Sequence, residues 1–276
     1  MKRTFGVAAF ISLILTVFFP VLRGYAETSG AGVSQTSPWT SEKLACLEKA
    51  VYFNECSGKP ANLATWRSDE DFPSLGIGHF IWYPPEKKGP YQESFPTLLV
   101  FLKENGVVVP AWLEQGPPWR DREEFQKDLQ SERMVSLRAF LEQTRALQVL
   151  FIIKRMDKVL PKMLEATLKE KKPLIEQKYR LVAEAPGGRV AMIDYVNFKG
   201  EGTSLTERLQ GQGWGLLQVL EAMKIPEDAA KVLPAFVHAA EQVLEKRVAI
   251  VLTQKDESRA LKGWKTRVRS YLKITC

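Results

Sequence analysis

Residues 54–80, NECSGKPANLATWRSDEDFPSLGIGHF, determine how the rest of the chain is interpreted. The segment before them has apolar residues at helical spacing, which predicts a helix that begins near Ser41 and ends at about 54–57, with Gly58 as its stop signal. Glu55 therefore stands at the C-terminal end of that helix. Because the helix dipole disfavours negative charge at this end, a role in closing the helix explains Glu55 poorly.

After Glu55 the chain turns acidic and then becomes rich in β-forming residues. The composition of residues 63–83 predicts a small hairpin or a three-stranded sheet. The acidic turn contains Asp69, Glu70 and Asp71, followed by SLGIGH at 74–79. Alternating glycines in a strand leave one face without side chains, and this permits close approach of a ligand or of another helix.

Helical patterns follow from Pro84 almost to the C-terminus, and they include a long run over 132–171 that Pro161 is expected to break. No internal repeat and no low-complexity block occurs after residue 40. The chain is therefore predicted to fold as one α+β domain over 41–276. It is mostly helical, with one small antiparallel sheet and an enlarged helical middle at about 84–180.

The N-terminal residues 1–26 resemble a secretory signal peptide, with a basic start, an apolar run over 5–22 and small residues before Ala26. The alternative is an uncleaved membrane anchor, because the run approaches spanning length. Pro20 and the Gly-Tyr-Ala ending favour cleavage after Ala26. Residues 27–40 are predicted to be a flexible leader, and the mature chain is predicted to be periplasmic or secreted, with membrane contact only through an uncleaved signal.

Charge and composition limit the classes of partner. The net charge is +7, and removal of Lys2, Arg3 and Arg23 with the signal peptide leaves +4. No dense basic block with interleaved aromatic residues is present, so nucleic acid is not an expected partner. With two histidines and no Cys-x-x-Cys, neither a metal site nor a cofactor is predicted.

The three cysteines are Cys46, Cys56 and Cys276. On one helix Cys46 and Cys56 lie about 15 Å apart, beyond the roughly 7 Å limit for a disulfide, so they are not expected to pair. Cys276 either joins one of them or leaves a free thiol.

Glu55, the acidic turn and Ser74-Leu-Gly-Ile-Gly-His79 resemble the catalytic helix and hairpin of phage-type lysozymes. In that family a glutamate at the end of the first helix precedes Thr-x-Gly-x-Gly-His. The segment AMIDYVNFKGEG at 191–202 resembles the central core helix of the family, and GWKTR at 263–267 resembles its closing helix with an arginine. Residues 84–180 do not share the likeness.

Cleavage of a β-1,4 glycosidic bond needs a carboxylic acid for the leaving oxygen and a second group that activates water or stabilises the sugar cation. The resemblance implies that Glu55 is the general acid. It also implies that Asp69 or Asp71 orients the water, with Ser74 assisting where the family has threonine. The turn is longer than in the family, so the choice between the two aspartates stays open, and a purely solvated turn is the alternative.

The resemblance further makes Gly76, Gly78 and His79 structural residues near the site. Phe80 is expected to offer an aromatic face to a sugar ring, as are its neighbours Trp82 and Tyr83, although core packing is the alternative for at least one of them.

Tyr195, Asn197 and Glu201 are expected to bind substrate from the opposite wall. Asn197 and Phe198 stand in exchanged order relative to the family, which weakens that expectation for the pair. Glu201 is also an alternative second catalytic group.

The predicted function is cleavage of the β-1,4 bonds between N-acetylmuramic acid and N-acetylglucosamine in peptidoglycan or a related aminosugar polymer. Within this prediction a lytic transglycosylase and a chitinase-like or chitosanase-like enzyme are alternatives. The alternative from another class is a non-catalytic protein of the same fold that binds the cell wall or acts as a scaffold.

Overall fold

The computed structural model describes residues 39–89, 91–251 and 258–274. The predicted signal peptide, almost all of the predicted leader and Cys276 lie outside these residues.

The first helix, α1 (Ser41–Cys56), carries Glu55 as its penultimate residue. It begins after Thr40, whose side chain accepts a hydrogen bond from the backbone N–H of Lys43 at 3.3 Å. It ends at Ser57, which adopts the left-handed conformation and returns its N–H to the last turn. The predicted start and end of the helix are confirmed.

The small sheet consists of the antiparallel strands β1 (Ala64–Thr65), β2 (Ser74–Leu75) and β3 (Phe80–Ile81), in that spatial order. Ser74 lies opposite Thr65 on one side and Ile81 on the other. The predicted sheet is confirmed. However, Gly76 and Gly78 lie in the turn between β2 and β3, and not in a strand as expected.

Helices account for most of the remaining described residues, so the predicted α+β class with a mostly helical chain is confirmed. They are α2 (Phe95–Glu104), α3 (Arg122–Asp128), α4 (Glu132–Gln143), α5 (Arg145–Met156), α6 (Val159–Glu165), α7 (Lys172–Glu184), α8 (Gly188–Lys199), α9 (Leu216–Ala222), α10 (Val232–Val251) and α11 (Ser258–Ser270). Short 3-10 turns occur at Pro60–Leu63, Ala111–Gln115, Lys169–Lys171, Ala229–Lys231 and Tyr271–Lys273.

The helical run over 132–171 is interrupted, but not at Pro161 as expected. Pro161 lies in the first turn of α6, where a helix does not need the proline N–H. The chain instead interrupts its helices at Thr144 and at 157–158. Thr144 is buried, and its hydroxyl donates to the carbonyl of Phe140 at 2.9 Å, which competes with the regular helical ladder.

The core brings three other elements to the end of α1. Helix α1 packs against α5, which in turn packs against α2 and α8, while α10 packs against α9 and α11. The 3-10 turn that follows α11 packs against α8. The end of α1, the β2–β3 turn, α8 and α11 thereby meet. Within the described part of the chain, no helix is both long enough and apolar enough to cross a bilayer.

Candidate active site

The carboxyl group of Glu55 lies at this meeting point, and its side chain is only 7% exposed. Its Oε1 accepts a hydrogen bond from Nδ2 of Asn197 at 2.9 Å and another from the guanidinium of Arg267. Its Oε2 lies 3.2 Å from Nδ1 of His79. The carboxyl group therefore points into a polar cluster and not into open water.

A second carboxylate, Asp194, anchors the same cluster and is 1% exposed. The Nε of Arg267 donates to Oδ2 of Asp194 at 2.8 Å, and Nη2 donates to Oδ1 at 2.9 Å. The Tyr271 hydroxyl donates to Oδ2 at 2.6 Å, and Nδ2 of Asn54 donates to Oδ1 at 3.1 Å. Because every bond of this buried ion pair is charge-assisted, the cost of burying it is offset.

Burial and the two carboxylates shift the pKa of Arg267 in opposite directions. Burial disfavours the charged guanidinium, but Asp194 and Glu55 outweigh it and raise the pKa of Arg267 well above its usual range. Burial, followed by the charge of Asp194, likewise raises the pKa of Tyr271 far above its usual value. Arg267 is therefore a fixed positive charge between Glu55 and Asp194, and Tyr271 is a fixed hydrogen-bond donor.

His79 is the remaining titratable group in contact with Glu55. Burial lowers the pKa of His79 below 6.5, partly opposed by the negative charge of Glu55, so the imidazole is neutral at pH 7. Its Nδ1 faces Oε2 of Glu55 at 3.2 Å. Within the described residues Nε2 is buried and has no hydrogen-bond partner. His79 therefore supports Glu55, in agreement with the structural role expected for it.

The acidic turn supplies no contact to Glu55 within the described residues. Asp69 forms an ion pair with Arg67 at 3.1 Å, and its side chain is 43% exposed. Asp71 is also exposed. The structure thus brings neither predicted partner into contact with Glu55, because Asp69 pairs with Arg67 and Asp71 faces solvent. Glu70 is the more enclosed residue of the turn, and burial raises the pKa of its carboxyl group.

Three further predicted residues occupy the hairpin. Ser74 lies in β2 and is 5% exposed. Gly76 has a φ of +69°, and a Cβ there would overlap Oε1 of Gln148; a Cβ on Gly78 would lie 2.5 Å from the ring of Phe80. The space beside both glycines is filled by protein atoms, so close packing, and not room for a sugar, explains them.

Gln148, on α5, is a residue that the sequence analysis missed. It is fully buried, and its Oε1 accepts from the N–H of Ile77 at 2.8 Å. Its Nε2 donates to the carbonyl of Leu141 at 2.7 Å and to the hydroxyl of Thr144 at 2.9 Å. It therefore fastens the β2–β3 turn to α5. A lone amide on an otherwise apolar helix face was the signal available in the sequence.

The substrate-binding roles expected for Phe80 and Tyr195 are wrong, because both side chains are fully buried. Phe80 packs edge-on against Phe151, with ring centroids 5.6 Å apart. The hydroxyl of Tyr195 donates to the carbonyl of Trp214 at 2.9 Å. Trp82 and Tyr83, which follow β3, are also buried, at 2% and 8% exposure, so the aromatic residues in and after β3 face the core.

Of the two remaining residues that were expected to bind substrate, Asn197 contacts Glu55 and Glu201 does not. Asn197 binds Glu55 directly, so its amide N–H is committed to the carboxyl group and not to an N-acetyl group. Glu201 forms an ion pair with Lys162 at 2.8 Å and receives the hydroxyl of Thr203 at 3.5 Å. Since Glu55 has no contact with Glu201, the geometry gives no support to Glu201 as a second catalytic group.

A row of alternating aromatic and cationic side chains extends from Arg267. All are partly exposed, and they come from α8, α10, α11 and the loop before α9: Phe198, Lys199, Trp264, Arg247 and Trp214. The guanidinium of Arg267 lies 4.2 Å from the centroid of Phe198, and Nζ of Lys199 lies 3.4 Å from that of Trp264. The guanidinium of Arg247 lies 4.1 Å from the centroid of Trp214. These contacts form a continuous aromatic surface beside Glu55.

Two cavities lie outside the immediate surroundings of Glu55. One, of about 240 Å³, opens beside Trp214 and Arg247 at the far end of this row. The other, of about 640 Å³, is lined by residues of α10 and α11, including His238 and Glu241. Neither is lined by Glu55, so the aromatic row is the feature that connects Glu55 with the nearer cavity.

Cys56 is not a candidate nucleophile. Its thiol is buried, and burial, followed by the charge of Glu55, raises the pKa to about 12. Cys56 is free and Cys46 is disulfide-bonded, so the two do not pair with each other, as expected from their distance. Among the described residues, no group of three or more His, Cys, Asp or Glu is arranged to hold a metal ion.

Comparison of the chain with protein-family models, with curated proteins and with solved structures finds no match.

Proposed function

We propose that the chain is a glycosidase that cleaves β-1,4 bonds in peptidoglycan or a related aminosugar polymer, with Glu55 as the proton donor. The observation that carries this proposal is the buried carboxyl of Glu55 at the end of α1, held by Asn197, Arg267 and His79. A glycosidase acid has to be fixed in direction so that its proton meets the leaving oxygen, and three contacts from three other elements provide that restraint.

The arrangement of carboxylates around Glu55 favours a mechanism in which Glu55 alone acts first as the acid and then as the base; we call this a one-acid mechanism. The only carboxylate that shares a partner with Glu55 among the described residues is Asp194, which is buried and occupied by Arg267, Tyr271 and Asn54. It has no free position from which to activate water. In a one-acid mechanism, Glu55 gives its proton to the leaving oxygen and then accepts a proton from a hydroxyl of the same sugar, which closes an internal ring. We therefore favour the lytic transglycosylase within the proposed class.

Substrate binding is proposed for the partly exposed aromatic row. Sugar rings pack on aromatic faces, and Phe198 and Trp264 lie next to the Arg267 that binds Glu55. This row replaces Phe80 and Tyr195 as the proposed binding surface. The neighbouring Lys199 and Arg247 add positive charge, which suits the carboxylates of peptidoglycan.

The test uses the chain from Glu27 onward, which removes the predicted signal peptide but retains the compact unit that begins at Trp39. Wild type and Glu55→Gln are incubated with insoluble peptidoglycan, and released reducing ends and anhydro-sugars are quantified. We expect a loss of at least about 10²-fold in Glu55→Gln, which keeps the shape but cannot donate a carboxyl proton. The control is Glu176→Gln, an exposed carboxylate paired with Arg180.

Thermal unfolding of both variants shows whether the fold is retained. Equal product release by folded Glu55→Gln and wild type contradicts the proposal. Anhydro-sugar as the main product supports the one-acid mechanism, whereas reducing ends support hydrolysis.

The second candidate is a non-catalytic protein that binds the cell wall. It is favoured by the low exposure of Glu55 and by the two donors on its Oε1. Binding of wild type to peptidoglycan with no released product, under conditions in which a known muramidase is active, supports this candidate over the enzyme.

A further inference from the structure

The turn that joins α6 to α7 exposes apolar and basic side chains together. We call residues 158–174, KVLPKMLEATLKEKKPL, the α6–α7 tip. Leu168 is 62% exposed and Leu174 is 46% exposed. Lys158, Lys169 and Lys171 are exposed as well. Large leucines beside lysines call for an explanation when each leaves about half or more of its surface in water.

The tip has a defined shape that directs these side chains outward. Helices α6 and α7 pack against each other, and the buried Thr167 donates its hydroxyl to the carbonyl of Met163 at 2.6 Å. The N–H of Lys171 donates to the carbonyl of Leu168 at 2.9 Å, which closes the 3-10 turn. Since Thr167 faces the core and its neighbour Leu168 faces solvent, the exposure of Leu168 is built into the turn.

The α6–α7 tip is basic. Its 17 residues contain five lysines and two glutamates, a net charge of +3. Lys162 is paired with Glu201, but Lys158, Lys169, Lys171 and Lys172 form no ion pair with the described residues.

We propose that the α6–α7 tip binds the surface of a membrane that contains anionic lipids. Free lysines attract such a surface, and exposed leucines gain free energy by entering its interfacial layer. A soluble or wall-bound polyanion would use the lysines but would leave Leu168 and Leu174 in water. This contact is separate from any uncleaved signal peptide and does not depend on the proposed glycosidase activity.

The experiment measures co-sedimentation of the chain from Glu27 onward with two kinds of vesicle. One contains phosphatidylcholine alone, and the other contains phosphatidylcholine with 30 mol % phosphatidylglycerol. Removal of residues 1–26 matters because their apolar run would itself bind vesicles. We expect binding to the anionic vesicles that weakens as salt is raised, and at least about tenfold weaker binding to the neutral ones.

Two tip variants and two matched controls test the location. A triple Lys169→Gln, Lys171→Gln, Lys172→Gln variant is expected to bind at least about tenfold more weakly. A double Leu168→Ser, Leu174→Ser variant is expected to lose about fivefold or more. The control for the leucine variant is Val108→Ser, at a site that is 90% exposed. The control for the lysine variant changes the exposed Lys59, Lys87 and Lys88 to Gln. Both controls are expected to bind like wild type.

Equal binding of wild type to both vesicles, no binding to either, or normal binding by the tip variants overturns the proposal. If the lysine variant binds weakly and the leucine variant binds normally, the tip recognises a polyanion, and the assignment to a lipid surface is wrong. All named side chains are exposed or partly exposed, so the variants are expected to fold, and circular dichroism checks this.

Discussion

Asp194 holds the buried polar cluster together through four hydrogen bonds from three side chains. If its charge is removed, Arg267 keeps a buried positive charge with Glu55 as its remaining charged partner. We therefore expect Asp194→Asn to lower the free energy of unfolding by about 3–5 kcal/mol, as measured by urea denaturation.

The control for this change is Asp69→Asn, since the ion pair of Asp69 with Arg67 is largely exposed. It is expected to change stability by less than about 1 kcal/mol. An unchanged urea midpoint for Asp194→Asn would show that the cluster contributes nothing to the fold.

His79 links the state of the site to pH. Because the pKa of His79 is lower in the folded chain than in the unfolded one, the unfolded chain binds more protons below about pH 6.5. The stability contributed by neutral His79 is thus present above pH 6.5 and is lost as the pH falls through the folded pKa. We expect His79→Gln to show a smaller loss of stability between pH 6.5 and pH 5 than wild type.

The measurement is the urea midpoint at several pH values. His238→Gln serves as the control, since His238 is exposed and its ring forms a hydrogen bond with Gln242. Parallel curves for wild type and His79→Gln would mean that His79 does not contribute to the acid sensitivity.

At the scale of elements, the β2–β3 turn depends on α5 as well as on its own glycines. Gly76 has a positive φ, and the space for a Cβ is taken by Gln148. Gly106 after α2 also has a positive φ, +79°, but its Cβ position is open. Substitution of alanine at each of the two glycines therefore separates the cost of backbone strain from the cost of missing space.

We expect Gly106→Ala to cost about 1–2 kcal/mol from backbone strain alone. Gly76→Ala is expected to cost about 1–3 kcal/mol more, because Gln148 has to move and its hydrogen bond to Ile77 is strained. Thermal and urea unfolding give both values. Equal costs would show that Gln148 yields freely and does not fasten the turn.

At the scale of the whole molecule, the disulfide of Cys46 adds a covalent restraint to a chain of 276 residues. A disulfide stabilises mainly by restricting the unfolded chain, typically by about 2–4 kcal/mol. A reducing agent should therefore lower the melting temperature of wild type. In Cys46→Ser the same reagent should have no further effect, because Cys56 is already a free thiol. A reductant effect of equal size in both proteins would contradict this expectation.

The sequence by itself determined the elements whose signals are local. The end of α1 just after Glu55, the small sheet over 63–83 and the helical character of the rest follow from caps, periodicity and turn residues, which act over a few positions. The position of His79 near Glu55 was implied only by the resemblance of the hairpin motif to a known family.

Tertiary structure decided which groups touch Glu55 and which side chains are exposed. Asn197 and Arg267 lie 142 and 212 residues away from Glu55 along the chain, and Asp194, which shares Arg267 with it, lies 139 residues away. The same packing buried Phe80 and Tyr195 and left Leu168 exposed, although all three are large apolar or aromatic residues. The physical reason is that hydrogen-bond partners and burial depend on how distant helices pack, whereas caps and periodicity record only the conformation of neighbouring residues.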